Sequence, residues 1–233
     1  MPGNMMFSPM SETTLNSLIE DIKAGSRMAC TNASGAERAY ITAEVARVVT
    51  RPICMVLPTR KACDRMAADI QFFLGKNPRE VFVFPPYNIL PFKQIAYHNE
   101  TAAQRIHLLY RLASGTAASM IILLPAETLL QQLIPKSILN DYAELLMAGE
   151  EIDRDSLIAH LHSGGYNHTA LVEEPGEYSV RGGIMDIFSP MYAEPLRVEF
   201  FGDVVDSMRF FSPGSQRKTR TVEEAIILPA REA

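Results

Sequence analysis

Residues 196–201 read Leu-Arg-Val-Glu-Phe-Phe, with Leu196, Val198 and Phe200 alternating with Arg197, Glu199 and Phe201. A period of two is the signature of a sheet whose faces meet different surroundings. The whole stretch from Gly176 to Phe211, GEYSVRGGIMDIFSPMYAEPLRVEFFGDVVDSMRFF, is strand-like, with runs over 177–180 leading into 184–188, then 195–201 and 204–211. Phe201-Gly202-Asp203-Val204 is a short antiparallel connection in which the glycine is free to take positive φ. Gly182-Gly183 interrupts the first run and predicts a bulge or the close approach of another backbone. The expectation is an antiparallel meander with one face on a core. The other face carries Arg181, Arg197, Glu199 and Arg209 and is available to a partner.

Upstream the texture differs. Ser11-Glu-Thr-Thr opens a helix whose apolar face is Leu15, Leu18, Ile19 and Ile22, after a floppy start over 1–10. Arg27–Cys30 reads as a short buried strand and Ile53–Leu57 (ICMVL) as an interior parallel strand. Helices are expected over 59–73 and 101–113, strands over 81–84 and 120–124, and an irregular proline-rich loop after Phe84. Alternation of helix and strand implies an α/β domain with a mostly parallel sheet. From Ala126 an α+β unit follows, with a possible strand within 141–151 and a helix over 156–162 capped by Asp155 or Ser156. Ser215–Arg220 reads as a polar linker and Glu224–Leu228 as a last short strand. The expected divisions are 1–127, 128–212 and 213–233.

Hydrophobic residues make up 47% of the 233 and charged residues 21%, which places the chain among globular proteins. A net charge of −5 argues against tight binding of nucleic-acid backbone by the surface as a whole. Cys30, Cys54 and Cys63 are odd in number and form no Cys-x-x-Cys pair, as expected of reduced thiols in a cytoplasmic protein. The longest apolar run, Met120–Leu124, is far below the ~20 residues that cross a bilayer, so no membrane partner is expected.

The polar segment Thr31–Arg38 lies where a phosphate-binding loop would lie. Such a loop needs a Lys for the terminal phosphates and a Ser or Thr for Mg²⁺. Ser34 and Gly35 are followed instead by Ala36 and Glu37, and a carboxylate there repels phosphate. The loop has the shape of a nucleotide site without its chemistry, so no cofactor is expected. His160-x-His162 has no third ligand at metal spacing, and no nucleophile, base and acid can be assembled from spacing, so neither a metal nor a catalytic residue is expected. Arg181 stands in a strand among apolar neighbours. It either pairs across the sheet with Glu199 or Glu177, or anchors a protein interface.

Gly-Glu-Tyr-Ser-Val-Arg181-Gly-Gly-Ile-Met-Asp186-Ile-Phe188, then Leu-Arg197-Val-Glu199-Phe-Phe201-Gly-Asp203 and Asp206-Ser-Met-Arg209-Phe-Phe, closely resembles the UvrA-binding domain of bacterial transcription-repair coupling factors. The pattern G-x-[FY]-x-x-R-G with [DE]-[IL]-F and R-x-[DE]-[FL]-F is shared with the excision-repair protein UvrB. Looser similarity extends from about residue 11 to the end. The missing Lys and Thr of the phosphate loop, and too few residues between Tyr87 and Thr101 for a DNA-clamping hairpin, favour the coupling factor over a UvrB-type ATPase or helicase fragment. A general protein-interaction module with another partner is the third reading. The resemblance implies an α/β fold with a degenerate P-loop, RecA-like parallel-sheet domain and an inserted α+β domain containing an antiparallel sheet. It implies UvrA as partner, with Arg181, Phe188, Arg197, Glu199 and Phe201 as contact residues. Ser179 and Asn167 stand where UvrB would use further arginines. It implies a non-enzymatic module of an ATP-dependent double-stranded DNA translocase, whose motor and RNA polymerase contacts lie outside these residues.

Overall fold

The computed structural model describes residues 12–27, 29–31, 33–87 and 99–232. The capping signal at Ser11, the start over 1–10 and most of the proline-rich loop, 88–98, lie outside the described residues. The chain is mixed α/β, with both parallel and antiparallel strand pairs. It divides into two units, one of 1–83 with 118–124 and one of 84–117 with 125–233.

The first unit contains helices α1 (Glu12–Lys23), α2 (Gly35–Val48) and α3 (Arg60–Leu74) and strands β1 (Ile53–Leu57), β2 (Val81–Val83) and β3 (Ile121–Pro125). The sheet order is β1-β3-β2, and β2 runs parallel to β3. β3 takes the centre and is buried along its length. β1, expected in the interior, is an edge strand. Its alternate residues Cys54 and Val56 are exposed, because the centre goes to IILLP, the more uniformly aliphatic run. Arg27, Ala29 and Cys30 are exposed and outside any strand; side chains as small as Ala and Cys offer little apolar area to hold a strand inside. α2 buries Ala39, Ala43 and Ala46, and this small-residue stripe lets it lie close to Cys63, Met66 and Ile70 of α3.

The second unit contains α4 (Asn99–Ala113), a 3-10 turn (Ala126–Leu130), α5 (Lys136–Asp141), β4 (Glu144–Met147) and α6 (Arg154–Ser163). It continues with β5 (Asn167–His168), β6 (Glu177–Arg181), β7 (Ile184–Ile187), β8 (Leu196–Phe201), β9 (Val204–Phe211), β10 (Lys218–Val222) and β11 (Glu224–Ile227). The cap of α6 is Asp153, two residues before Asp155, the nearer of the two expected caps, and its carboxylate accepts the Asp155 N–H. β6 to β10 form the expected antiparallel meander and add a strand to it. The full order is β10-β9-β8-β7-β6-β5, with β5 parallel to β6. The anticipated linker at 215–220 is therefore half strand, and β11 pairs with β4. These pairings hold 213–232 in the same unit as the meander.

The core face of the large sheet, Tyr178, Met185, Ile187, Leu196, Val198 and Met208 among others, packs on Leu157 and Leu161 of α6. Gly182-Gly183 makes the β6–β7 turn, with Arg181 paired to Ile184 across it. A Cβ on Gly183 would stand 2.9 Å from the Phe200 carbonyl oxygen, so the expected close approach is to β8. Gly202 takes φ of 65° at the next turn.

Away from the sheet, the same unit is tied by Arg105, whose side chain is fully buried. Its Nε and Nη2 donate to Glu232 at 2.5 and 3.2 Å, and Nη1 donates to the Pro85 carbonyl and the Gln131 Oε1. Its guanidinium lies over the rings of Phe84 and Tyr87. Arg105→Ala would leave Glu232 buried without its counter-charge. The expected loss of stability is about 3–5 kcal/mol in urea unfolding, the range found for breaking one side of a buried ion pair.

Candidate protein-binding face

Strand parity decides which side chains share the outer face of the large sheet. Opposite the core positions lie Ser179 and Arg181 on β6, Ile184 and Asp186 on β7, and Arg197, Glu199 and Phe201 on β8. Val204, Ser207, Arg209 and Phe211 extend that face onto β9. Of the five expected contact residues, four are brought together on one surface. Phe188 is the exception. It is 5% exposed, just past the end of β7, and its backbone N–H donates to the Glu177 carbonyl, so its ring packs inside.

Asp186 is the centre of this face. Only 1% of its side chain is exposed, yet it carries the charge that organises three strands. Oδ1 accepts from Arg197 Nε at 2.6 Å, and Oδ2 accepts from Arg197 Nη2 at 2.8 Å and from Arg181 Nη2 at 2.7 Å. The Arg197 contact is a fork onto both oxygens, the strongest common ion-pair geometry. Those hydrogen bonds hold the Arg197 guanidinium above its ordinary pKa. Arg197 also donates to Gln216 Oε1 at 3.1 Å and stacks over the Phe211 ring at 4.4 Å. With 14% of its side chain exposed, Arg197 braces the sheet and has little left for a partner.

Arg181 is different. It pairs with neither Glu199 nor Glu177, because both are engaged elsewhere. Glu177 accepts the backbone N–H groups of Glu173 and Glu174, and Glu199 accepts from Arg209 Nη2 at 2.6 Å and Ser207 Oγ at 2.9 Å. Arg181 makes its one charged contact through Nη2 to Asp186, and 49% of its side chain remains exposed. At the same end of the sheet stand Phe201, 83% exposed, and Val204 directly opposite it on β9. An arginine held at one guanidinium nitrogen, at the same end of the sheet as an exposed aromatic ring and an aliphatic side chain, has the composition of an interface anchor. Ser179 is buried and donates to the Ala170 carbonyl, while Asn167 accepts from Arg231.

Asp186 and Gln216 were not singled out by sequence reasoning. Asp186 could have been found from register, since it sits directly opposite Arg197, but register needs the turn at Gly182-Gly183 to be placed first. Gln216 has no local signal. It takes φ of 58° in the turn before β10, which glycine or asparagine would normally occupy.

At Ser34–Glu37, where a phosphate-binding loop would lie, the structure shows a capped helix start. Ser34 caps α2, its Oγ accepting the Glu37 N–H, and its own N–H donates to Glu37 Oε2 at 2.6 Å. These hydrogen bonds hold the Glu37 carboxyl below its ordinary pKa. The carboxylate thus sits on the positive end of the helix, where an anion would bind. Among the described residues no group of three His, Cys, Asp or Glu side chains could hold a metal ion, and no helix is long and apolar enough to cross a membrane.

The Glu199 carboxyl is held below its ordinary pKa, first by Arg209, then by Ser207. A lowered folded-state pKa contributes stability that is present above the unfolded value and fades as pH falls through the folded one. The melting temperature of the wild-type chain is therefore expected to exceed that of Glu199→Gln at neutral pH. The gap should close on acidification below the usual glutamate range. A gap independent of pH would remove the ionic contribution.

Residues 145–232 match the model of the UvrB interaction domain family. Over 220 residues the chain is 34% identical to the transcription-repair-coupling factor of Myxococcus xanthus, covering 92% of the chain and 18% of that protein. Identity to the Escherichia coli K12 protein of the same name is 33% over 91% of the chain, and to that of Bacillus subtilis 30% over 85%. The chain spans less than a fifth of the length of these relatives, 18% and 17% of the latter two. The chain therefore belongs to the transcription-repair-coupling factor family, as a module whose residues 145–232 form a UvrB interaction domain.

Proposed function

We propose that this chain is the amino-terminal UvrA-recruiting module of a transcription-repair coupling factor, linking a stalled RNA polymerase to nucleotide excision repair. The observation that carries the reading is the outer face of the large sheet, where Arg181 is anchored at one nitrogen and exposed over the rest beside Phe201 and Val204. That face lies within the segment matched to the UvrB interaction domain, and the resemblance of its motifs to those of UvrB and the coupling factors points to UvrA as the partner. Contacts with RNA polymerase and double-stranded DNA, and ATP-driven translocation, belong to other parts of the longer protein. The first unit is read as a degenerate, RecA-like nucleotide-binding fold in which Glu37 occupies the anion position at the start of α2.

Two experiments test the reading. Titration of the chain with UvrA should give saturable binding. Arg181→Ala should weaken it by about 2 kcal/mol, roughly thirtyfold, the ordinary cost of truncating an interface arginine. Its melting temperature should hardly move, because an ion pair half exposed to water contributes little to stability. Wild-type affinity in the variant would contradict the assignment. Mg-ATP should show no binding in calorimetry at micromolar concentration, and measurable heat of binding there would restore the nucleotide-site reading.

A further inference from the structure

Arg181 is the exposed end of a chain of contacts whose other members are buried or half-buried. Asp186 is shared between Arg181 and Arg197, and Arg197 is held in turn by Gln216 and by the ring of Phe211. Three features set this apart from ordinary sheet decoration. A carboxylate 1% exposed needs compensation, and here Arg197 alone already provides a complete fork. The additional bond to Arg181 is therefore not required to satisfy Asp186, but it does fix one nitrogen of an otherwise exposed guanidinium. Gln216, finally, is the one described residue other than glycine at positive φ. It is pinned there on both sides, its Nε2 donating to the Pro213 carbonyl at 2.7 Å and its Oε1 accepting from Arg197. Backbone strain of this kind persists where surrounding contacts over-determine it.

We propose that Asp186, backed by Arg197 and Gln216, is a positioning device for Arg181. It presents the remaining guanidinium donors at a set angle to a carboxylate of the partner. The inference rests on the reading of this face as the UvrA contact. Arg181 would then enter the complex with part of its side-chain freedom already lost, and preorganisation of one long side chain alters affinity by roughly three- to tenfold. Neither Asp186 nor Gln216 touches the partner in this account.

Gln216→Gly is the discriminating variant, because glycine accepts φ of 58° without strain, which offsets the loss of the hydrogen bond to the Pro213 carbonyl, while the hydrogen bond to Arg197 is removed. It should fold with an unchanged melting temperature even if Asp186→Asn does not. NMR relaxation of the Arg181 Nε–Hε group is compared between the wild-type chain and Gln216→Gly, and both are titrated with UvrA with and without Arg181→Ala. The guanidinium should become more mobile in Gln216→Gly, with affinity falling roughly three- to tenfold. In the Arg181→Ala background the same substitution should change nothing. An Arg181 equally ordered in both proteins, or a loss of affinity that persists without Arg181, overturns the inference while leaving the partner reading intact. Failure of the wild-type chain to capture UvrA overturns that reading first, and with it the role in binding assigned here to Asp186.

Discussion

A buried carboxylate with two arginines on it sets the character of the large sheet. Asp186 lies on the face away from α6, and its burial is tolerable because Arg197 from the neighbouring strand forks onto it. That pairing ties β7 to β8, reaches the turn before β10 through Gln216, and covers Phe211 with the flat side of a guanidinium. What is left at the rim is Arg181. A sheet with two apolar faces would need a second layer of helices. This one closes its outer face with ion pairs over its middle and leaves Phe201 and Val204 uncovered at one end.

The two faces also separate stability from recognition. The core face, from Tyr178 to Phe210, is filled by aliphatic and aromatic side chains packed against α6 and the β4–β11 pair. Changes there act through cavities and cost several kcal/mol. At the rim of the outer face, Arg181 carries a charge that water partly screens, so changes there cost folding little, whereas Asp186 is buried and Arg197 mostly so, and neither shares that freedom. Phe188 belongs to the first class despite its place in the most distinctive motif of the chain.

Much of this was legible in the residues. The alternation over 196–201 indicates β8 and its two faces, and Gly182-Gly183 and Gly202 mark the turns that flank its hairpins. Ser34 followed three residues later by Glu37 is a capping-box pattern, and the structure starts α2 there. Other parts were not legible, for identifiable reasons. β10 is an edge strand, KTRTV, whose single apolar residue is Val222 and whose Arg220 guanidinium lies over Phe210, and hydrophobic patterning does not register a strand with so few apolar positions. β1 looked interior because ICMVL is apolar throughout, but position in a sheet is set by which strands flank it, a long-range property. The partner of Arg181 depended on register, where a shift of one residue exchanges every side chain between faces. Glu177 and Glu199 were near enough in sequence pattern, and both are engaged by other donors.

The proposed docking surface is the rim that carries Arg181, Phe201 and Val204. Hydrogen–deuterium exchange of the chain with and without saturating UvrA tests it directly, because the turns at Gly182-Gly183 and Gly202-Asp203 border that rim. Exchange should slow at both turns on addition of UvrA, with the amides of α2 and α3 unchanged. Protection confined to the first unit, or none at the two turns, would contradict it.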